Sequence, residues 1–352
     1  MKILIVGYGF YVMGDKNCIG GTVLPATLSW CNQNGENSID IFARKDSQYL
    51  AKKRLKKYTE NNSLTIGNQN INIVSDTDNE YDVAMIAVPE MAHLEVLKSI
   101  SHVKNIMCVK PVGANNSDYV KICELSKKHH QNVYVDFHKR FDPANISIMN
   151  EIKSTKDSNY YFSFSYGQKK EMIEEYFSKW FQKSNPFQYL GPHYLDIILY
   201  STGLLNKDLK VNCKVDVPFR DKDGTPLFVC GTIVVSSDEV EVTISFDCNW
   251  FEPNTMPYSS RQRIEGFSKS LRFVSEQDNR GLIFWNDSVN IPNPHYRSEA
   301  LSDAWGYGVD IYKRFLQQSL SDSVDDFLPS LSDYKNVAKI VNEVNNKIYE
   351  IN

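Results

Sequence analysis

Long apolar runs are missing from this sequence. None reaches the roughly 18 to 20 residues that a membrane-spanning helix needs, so no span is expected. An excess of positive charge is missing as well: 39 Lys and Arg stand against 43 Asp and Glu, for a formal charge of −4 at pH 7. No broad cationic surface is left to hold nucleic acid. The third absence is cysteine pairing. The seven cysteines (Cys18, Cys31, Cys108, Cys123, Cys213, Cys230 and Cys248) are odd in number, widely spaced and without a C-x-x-C pair, which argues against a disulfide framework and offers no metal-ligand set. They read as reduced thiols of a cytoplasmic protein, most of them core filler. The opening MKILIVGYG has one lysine, a short apolar run and no small-residue cleavage site, so it reads as a first strand rather than a signal peptide.

What is present points to two domains. At 352 residues the chain is too long for one ordinary core and long enough to hold a cleft. Over residues 1–137, apolar strands alternate with helical stretches, the pattern of an α/β, Rossmann-type, doubly wound parallel sheet. Strands are expected at Lys2–Val6, Ser38–Ala43, Tyr81–Val88, Asn105–Val109 and Asn132–Phe137, with helices near 22–34, 47–58, 91–100 and 116–130. Ser117 and Asp118 are candidates to cap the last of these. The Asn/Ser/Lys-rich stretch 59–70 reads as solvated loop.

From residue 138 to 352 the order changes, and an α+β domain is expected. Tyr160–Tyr166 alternates aromatics, and strands follow near 209–217, 226–236, 239–249, 260–267, 270–275 and 281–285. Their alternation of apolar and polar residues predicts a mostly antiparallel sheet with one open face. Helices near 302–319 and 331–350 close the chain, separated by the Pro329 region.

The turn after the first strand carries the first chemistry. Gly7 permits a tight turn and Gly9 lets backbone approach a pyrophosphate, but Val12 occupies the third position of G-x-G-x-x-G. An insertion from Phe10 to Ile19 is expected, with Gly20 or Gly21 taking the third role and the next helix aiming its N–H groups at phosphate. The insertion is either a lid over that phosphate or an ordinary surface loop. At the end of the second strand Asp40 lies too deep to meet a ribose, whereas Arg44 and Lys45 favour a 2′-phosphate, hence NADP over NAD.

Four further segments fall in order. They are Ala87-Val88-Pro89 with His93, Cys108-Val109-Lys110-Pro111-Val112-Gly113, Val133 to Pro143 (VYVDFHKRFDP), and Gly191-Pro192-His193-Tyr194-Leu195-Asp196. Together they resemble the successive landmarks of the Gfo/Idh/MocA oxidoreductases over nearly the whole chain. The resemblance implies that Val88, Pro89, Lys110 and Pro111 line the cofactor and that Lys110 reaches both nicotinamide and substrate. It also implies that His193 is the acid/base group. Two positions depart from the family pattern: Val109 stands for its glutamate, and Tyr189 stands where its D-x-x-x-H pair has aspartate.

The residues support parts of this independently. A residue before proline is pushed out of helical geometry, so Lys110 should sit extended at a strand end, where its cation can polarise an oxygen. Imidazole titrates near neutrality and suits His193 to proton exchange. Tyr189 could donate a hydrogen bond or only pack; Asp196 could orient His193 or be structural; Pro192 either starts or kinks its helix. Lys139 and Arg140 could contact an anionic substrate or form a solvated hinge. Tyr176, Trp180 and Phe181 could wall a sugar face or belong to the core.

The expected activity is reversible hydride transfer between NADP(H) or NAD(H) and a secondary alcohol or ketone. The resemblance implies a sugar, polyol or sugar-nucleotide substrate and a homodimer or homotetramer formed through the open sheet face. Three rivals stand beside it: an epimerase or lyase that recycles bound cofactor, a dinucleotide-sensing scaffold without turnover, and reduction of an imine or opine-like adduct with Arg140 holding a carboxylate.

Overall fold

Apolar runs near the start of the chain become the middle of a parallel sheet. The structure, a computed structural model, describes residues 1–18, 21–62, 66–67, 69–258, 260–278, 284–285, 289–290, 304, 306–321 and 325–350. Strands β1 (Lys2–Val6), β2 (Ser38–Phe42), β3 (Asn70–Val74), β4 (Val83–Ile86), β5 (Asn105–Val109) and β6 (Asn132–Asp136) pair in parallel in the order β3-β2-β1-β4-β5-β6. Every residue of β4 is buried, as a strand covered on both faces requires. The order reverses at β1, between β2 and β4, and it is outside such a reversal that doubly wound sheets hold their ligands.

Helices α1 (Phe10–Met13), α2 (Val23–Gln33), α3 (Gln48–Asn61), α4 (His93–Ser99) and α5 (Asn116–Lys128) connect these strands. The cap of α5 is Asn115, whose side chain accepts from Asp118 N–H, two residues before the expected Ser117. β3, Asn-Ile-Asn-Ile-Val, went unanticipated because it is a half-exposed edge strand following a polar stretch.

A second sheet follows. Strands β7 (Asn159–Lys169), β8 (Lys210–Arg220), β9 (Pro226–Ser236), β10 (Glu241–Glu252), β11 (Ser260–Ser268) and β12 (Arg272–Glu276) take the order β12-β11-β7-β10-β9-β8. Only β7 and β10 pair in parallel; the other pairs are antiparallel. The short strands β13 (Phe284–Trp285) and β14 (Val289–Asn290) form a separate pair, and the expected strand's residues 281–283 lie outside the described residues. Helices α6 (Pro143–Thr155), α7 (Pro186–Leu190), α8 (Pro192–Ser201), α9 (Tyr307–Gln318) and α10 (Tyr334–Glu350) complete the chain.

The chain divides into two compact units, Met1–Asp142 with Pro294–Leu331 and Pro143–Asn293 with Ser332–Asn352. Helix α9 therefore belongs with the parallel sheet, whereas the sequence pattern places residues 302–319 in the second domain. The reason is packing: α2 is buried from Val23 to Cys31 and needs cover on its outer side. Helix α9 provides it, with Lys313 Nζ and Ser29 Oγ both donating to Ala304 O (2.6 and 3.4 Å). Residues 329–331 then run beside β6, with Val135 N–H donating to Pro329 O and Leu331 N–H to Val133 O, which covers a strand edge.

In the second unit, aromatic residues of β7 set the core. Phe164 meets Tyr194 at 5.1 Å and Phe246 at 6.0 Å, and Phe246 meets Phe187 at 4.5 Å, which seats α7 and α8 on one face of the sheet. The chain beyond α8 is held by α10: Asn336, 2% exposed, aims Nδ2 at the carbonyls of Leu204, Leu205 and Lys207 at 2.8 to 2.9 Å, and Lys339 Nζ donates to Leu209 O at 2.6 Å. Replacing Asn336 by Leu strands buried carbonyls and is expected to destabilise this unit by about 2–3 kcal/mol. Urea denaturation followed by far-UV circular dichroism measures that loss.

Candidate active site

β1 ends in Gly7, whose φ of +116° admits glycine and whose added Cβ would lie 2.5 Å from Ala87 O. Gly7 thus lets the turn press against the end of β4. Gly9 differs: an added Cβ there would meet nothing within 4 Å, so its Cα borders open space of the kind a bound pyrophosphate would fill. The four-residue helix α1 follows directly and ends at Gly14.

The insertion is partly that helix and partly an anchored turn. Arg54 Nη2 donates to Gly14 O (2.8 Å) and Asp15 O (3.2 Å), Lys57 Nζ to Lys16 O (3.0 Å), and Asn61 Nδ2 to Asn17 O (2.6 Å). All three donors belong to α3, which ties the turn down rather than leaving it a lid. Gly20 lies outside the described residues. Gly21 is buried, and an added Cβ would come within 2.6 to 2.7 Å of backbone from Val12 to Gly14. Its role is close packing behind α1. Thr22 N–H donates to Tyr11 O at 2.9 Å, and Val23 and Leu24 are fully buried. Thr22 N–H, just ahead of α2, is therefore taken up by α1.

Asp40 is buried within β2 and occupied by Tyr81 Oη (3.0 Å) and Asn72 Nδ2 (3.2 Å). Arg44 and Lys45 are exposed, and Arg44 Nε lies 3.8 Å from Asp46 Oδ1. Lys110 follows β5, half-buried, with a cis peptide to Pro111. His93 bridges the segments after β4 and β5: its Nε2 is 2.8 Å from Val88 O and its Nδ1 is 2.9 Å from Val112 O. Burial pushes the His93 pKa down, against the pull of those carbonyls and of Glu90.

Sequence reading missed a buried polar cluster in this unit. Asp136, 2% exposed at the end of β6, accepts from Tyr11 Oη (2.6 Å) and Tyr312 Oη (2.9 Å) on Oδ2, and His138 Nδ1 lies 3.1 Å from Oδ1. Burial alone would raise the Asp136 pKa, but the positive charge available at His138 and the three bonds outweigh it and hold the carboxyl below its ordinary range. Tyr307 stacks on His138, with ring centroids 5.6 Å apart. Lys139 and Arg140 are 1% and 0% exposed, so they are interior groups and not the solvated hinge that was one reading of them. The signal available beforehand was only the polar run His138-Lys139-Arg140 after an apolar strand.

In the second unit, Asn185 caps α7 by accepting from Gln188 N–H at 2.9 Å. Gly191 ends α7 and precedes Pro192 at the first position of α8, so Pro192 starts a helix. Tyr189 and His193 consequently stand on either side of a break. His193 is 2% exposed, with Tyr166 at 6.5 Å between ring centroids, and Asp196 is fully buried within α8. Tyr189 packs among Phe177 (5.0 Å), Trp180 (5.4 Å) and Trp250 (6.0 Å). Of the three aromatics expected as a wall, Trp180 stands in this cluster, joined by Phe177 and Trp250.

Among the described residues no helix is long and apolar enough to cross a membrane, and no group of His, Cys, Asp and Glu is placed to hold a metal ion. No protein-family model matches the chain, and no curated protein matches it in sequence. Solved structures do. Scyllo-inositol dehydrogenase from Lactobacillus casei, solved with bound NAD(H) and scyllo-inositol, has a TM-score of 0.70 at 13% identity, covering 100% of this chain and 97% of its own. Myo-inositol 2-dehydrogenase from Lactobacillus plantarum gives 0.67 at 13%, covering 99% and 97%. An oxidoreductase from Agrobacterium radiobacter, in complex with NAD+, L-tartaric acid and magnesium, gives 0.65 at 14%, covering 100% and 97%.

The chain shares the fold of these dehydrogenases. In this example of the fold, the first unit is completed by α9 and stitched at Asp136. The sign of that carboxylate's contribution follows from its lowered pKa: stability is complete above the ordinary value of 3.8 and is lost as pH falls through the lower folded value. The melting-temperature advantage of wild type over Asp136→Asn should shrink as pH falls below about pH 4. Differential scanning fluorimetry across that range measures it.

Proposed function

We propose that this protein is an NAD(P)-dependent dehydrogenase that moves a hydride between nicotinamide and a secondary alcohol or ketone of a polyol or sugar. The observation that carries the reading is the glycine turn at the strand-order reversal: Gly7 pressed onto Ala87, and Gly9 bordering open space. Those residues fit a dinucleotide, whose pyrophosphate would lie against the turn. The bound cofactor supplies the hydride acceptor or donor; the chain supplies the rest.

In this reading the segments Val88-Pro89 and Lys110-Pro111 line the nicotinamide end, and the His93 ring stands between the carbonyls of Val88 and Val112. Lys110 Nζ orients the reacting oxygen and stabilises negative charge that develops on it. His193 takes the hydroxyl proton on its imidazole during oxidation and returns it during reduction. Tyr189, held among three rings, adds a flat surface for the C–H face of a sugar or polyol. The polyol class is supported by what the fold relatives are named for, scyllo-inositol and myo-inositol. A homodimer or homotetramer is part of the same proposal, as is a cytoplasmic setting.

Lys110→Ala and His193→Ala are each expected to lower kcat/KM by about 10²- to 10⁴-fold while leaving dinucleotide affinity within a few-fold. Steady-state assays over a panel of inositols, hexoses and sugar nucleotides, alongside fluorescence titration with NADH, measure both. Unchanged turnover in both variants would remove the enzyme reading.

NADP is the proposed preference, because Arg44 and Lys45 are exposed cations just past β2. Asp46 beside Arg44 is the competing feature, since a carboxylate there would suit the ribose hydroxyl of NAD. Arg44→Ser should weaken NADPH by roughly tenfold with little effect on NADH, a bidentate phosphate contact being among the stronger charge-assisted bonds. NADPH affinity unchanged in the variant, with NADH bound more tightly than NADPH by wild type, would assign the preference to NAD.

A further inference from the structure

The weakest element beside the glycine turn is α1. At four residues it is a single turn ended by Gly14, and one helical turn does not sustain itself. The third glycine of the fingerprint, which would let a long helix pack directly behind the turn, is absent. Something else must fix the turn. Behind it are the α3 donors and Gly21. Within α1 itself is Tyr11, whose hydroxyl donates to Asp136 Oδ2, 125 residues on in sequence, at 2.6 Å.

Asp136 is buried, and Tyr11 is not its sole donor. Tyr312 of α9 donates to the same Oδ2 at 2.9 Å, and His138 Nδ1 lies 3.1 Å from both Oδ1 and Tyr11 Oη. The two tyrosines therefore make equivalent bonds to one oxygen from different places. Tyr312 is 1% exposed and belongs to a helix packed behind the sheet, whereas Tyr11 is half-buried and stands two residues after Gly9. Loss of either hydroxyl takes one donor from a buried carboxylate. Loss of Tyr11's alone releases the segment on which the glycine turn depends.

We propose that Tyr11 is a positioning residue for the dinucleotide: its bond to Asp136 preorganises the Gly7–Gly9 turn and so sets affinity for the diphosphate part of the cofactor. The inference rests on the dinucleotide-binding reading above. It predicts an effect on ADP-ribose as large as on the whole cofactor, because both carry the same diphosphate. A preorganised turn binds more tightly than one that must be ordered on binding.

The test compares full-length Tyr11→Phe and Tyr312→Phe. Thermal midpoints are expected to fall similarly in both. Calorimetric titration with ADP-ribose and fluorescence titration with NADH and NADPH are expected to show roughly tenfold weaker binding in Tyr11→Phe and less than twofold change in Tyr312→Phe. Amide exchange over Phe10–Met13 without ligand, expected to quicken in Tyr11→Phe alone, reads the same strut even if stability limits the titrations. Unaltered affinity in Tyr11→Phe, or equal weakening in both variants, overturns the proposal. Wild-type protein that binds none of the three ligands would instead overturn the functional reading beneath it.

Discussion

A carboxylate buried at the end of a strand is costly unless its oxygens are met, and in this protein Asp136 is met from three directions. Tyr11 comes from the segment after the first strand, His138 from the turn that follows β6, and Tyr312 from a helix near the far end of the chain. One charge thus requires three stretches of sequence to converge. Around it the first unit acquires its shape: α9 beside α2, residues 329–331 beside β6, and the one-turn helix α1 held in front of the glycine turn.

The glycine turn shows how a missing residue is compensated. Gly7 does what the fingerprint requires, and Gly9 leaves space, yet the helix that should follow is broken after one turn. Backbone carbonyls released by that break do not go unpaired. Arg54, Lys57 and Asn61 of α3 take them up, and the buried Gly21 lets the returning chain close against α1. An irregular segment is tolerated when its polar groups are satisfied in this way.

The second unit uses amides where the first uses a carboxylate. Asn185 caps α7 and is itself bonded to Asn345, which donates in turn to Gln188. Asn336 gathers three carbonyls beyond α8. These neutral networks fix the ends of the two helices that carry Tyr189 and His193. The aromatic packing of Tyr189 continues the same tendency, since rings occupy a position that the resemblance would fill with an acid.

Sequence by itself determined the elements whose signal is local. The apolar run Ile3–Val6, the buried strand Val83–Ile86 and the alternation of β7 to β11 are each written in consecutive residues, because side-chain burial follows the strand period. The glycine turn, Lys110 before its proline and His193 in its helix were legible for the same reason. Edge strand β3 was not, since half-exposed strands carry little apolar contrast. Only tertiary structure decided that α9 joins the parallel sheet, that Lys139 and Arg140 are interior, and that Tyr11, Asp136 and Tyr312 share one bond network. Those outcomes depend on which distant surfaces need cover and which buried charges need donors, and no window of neighbouring residues contains that information.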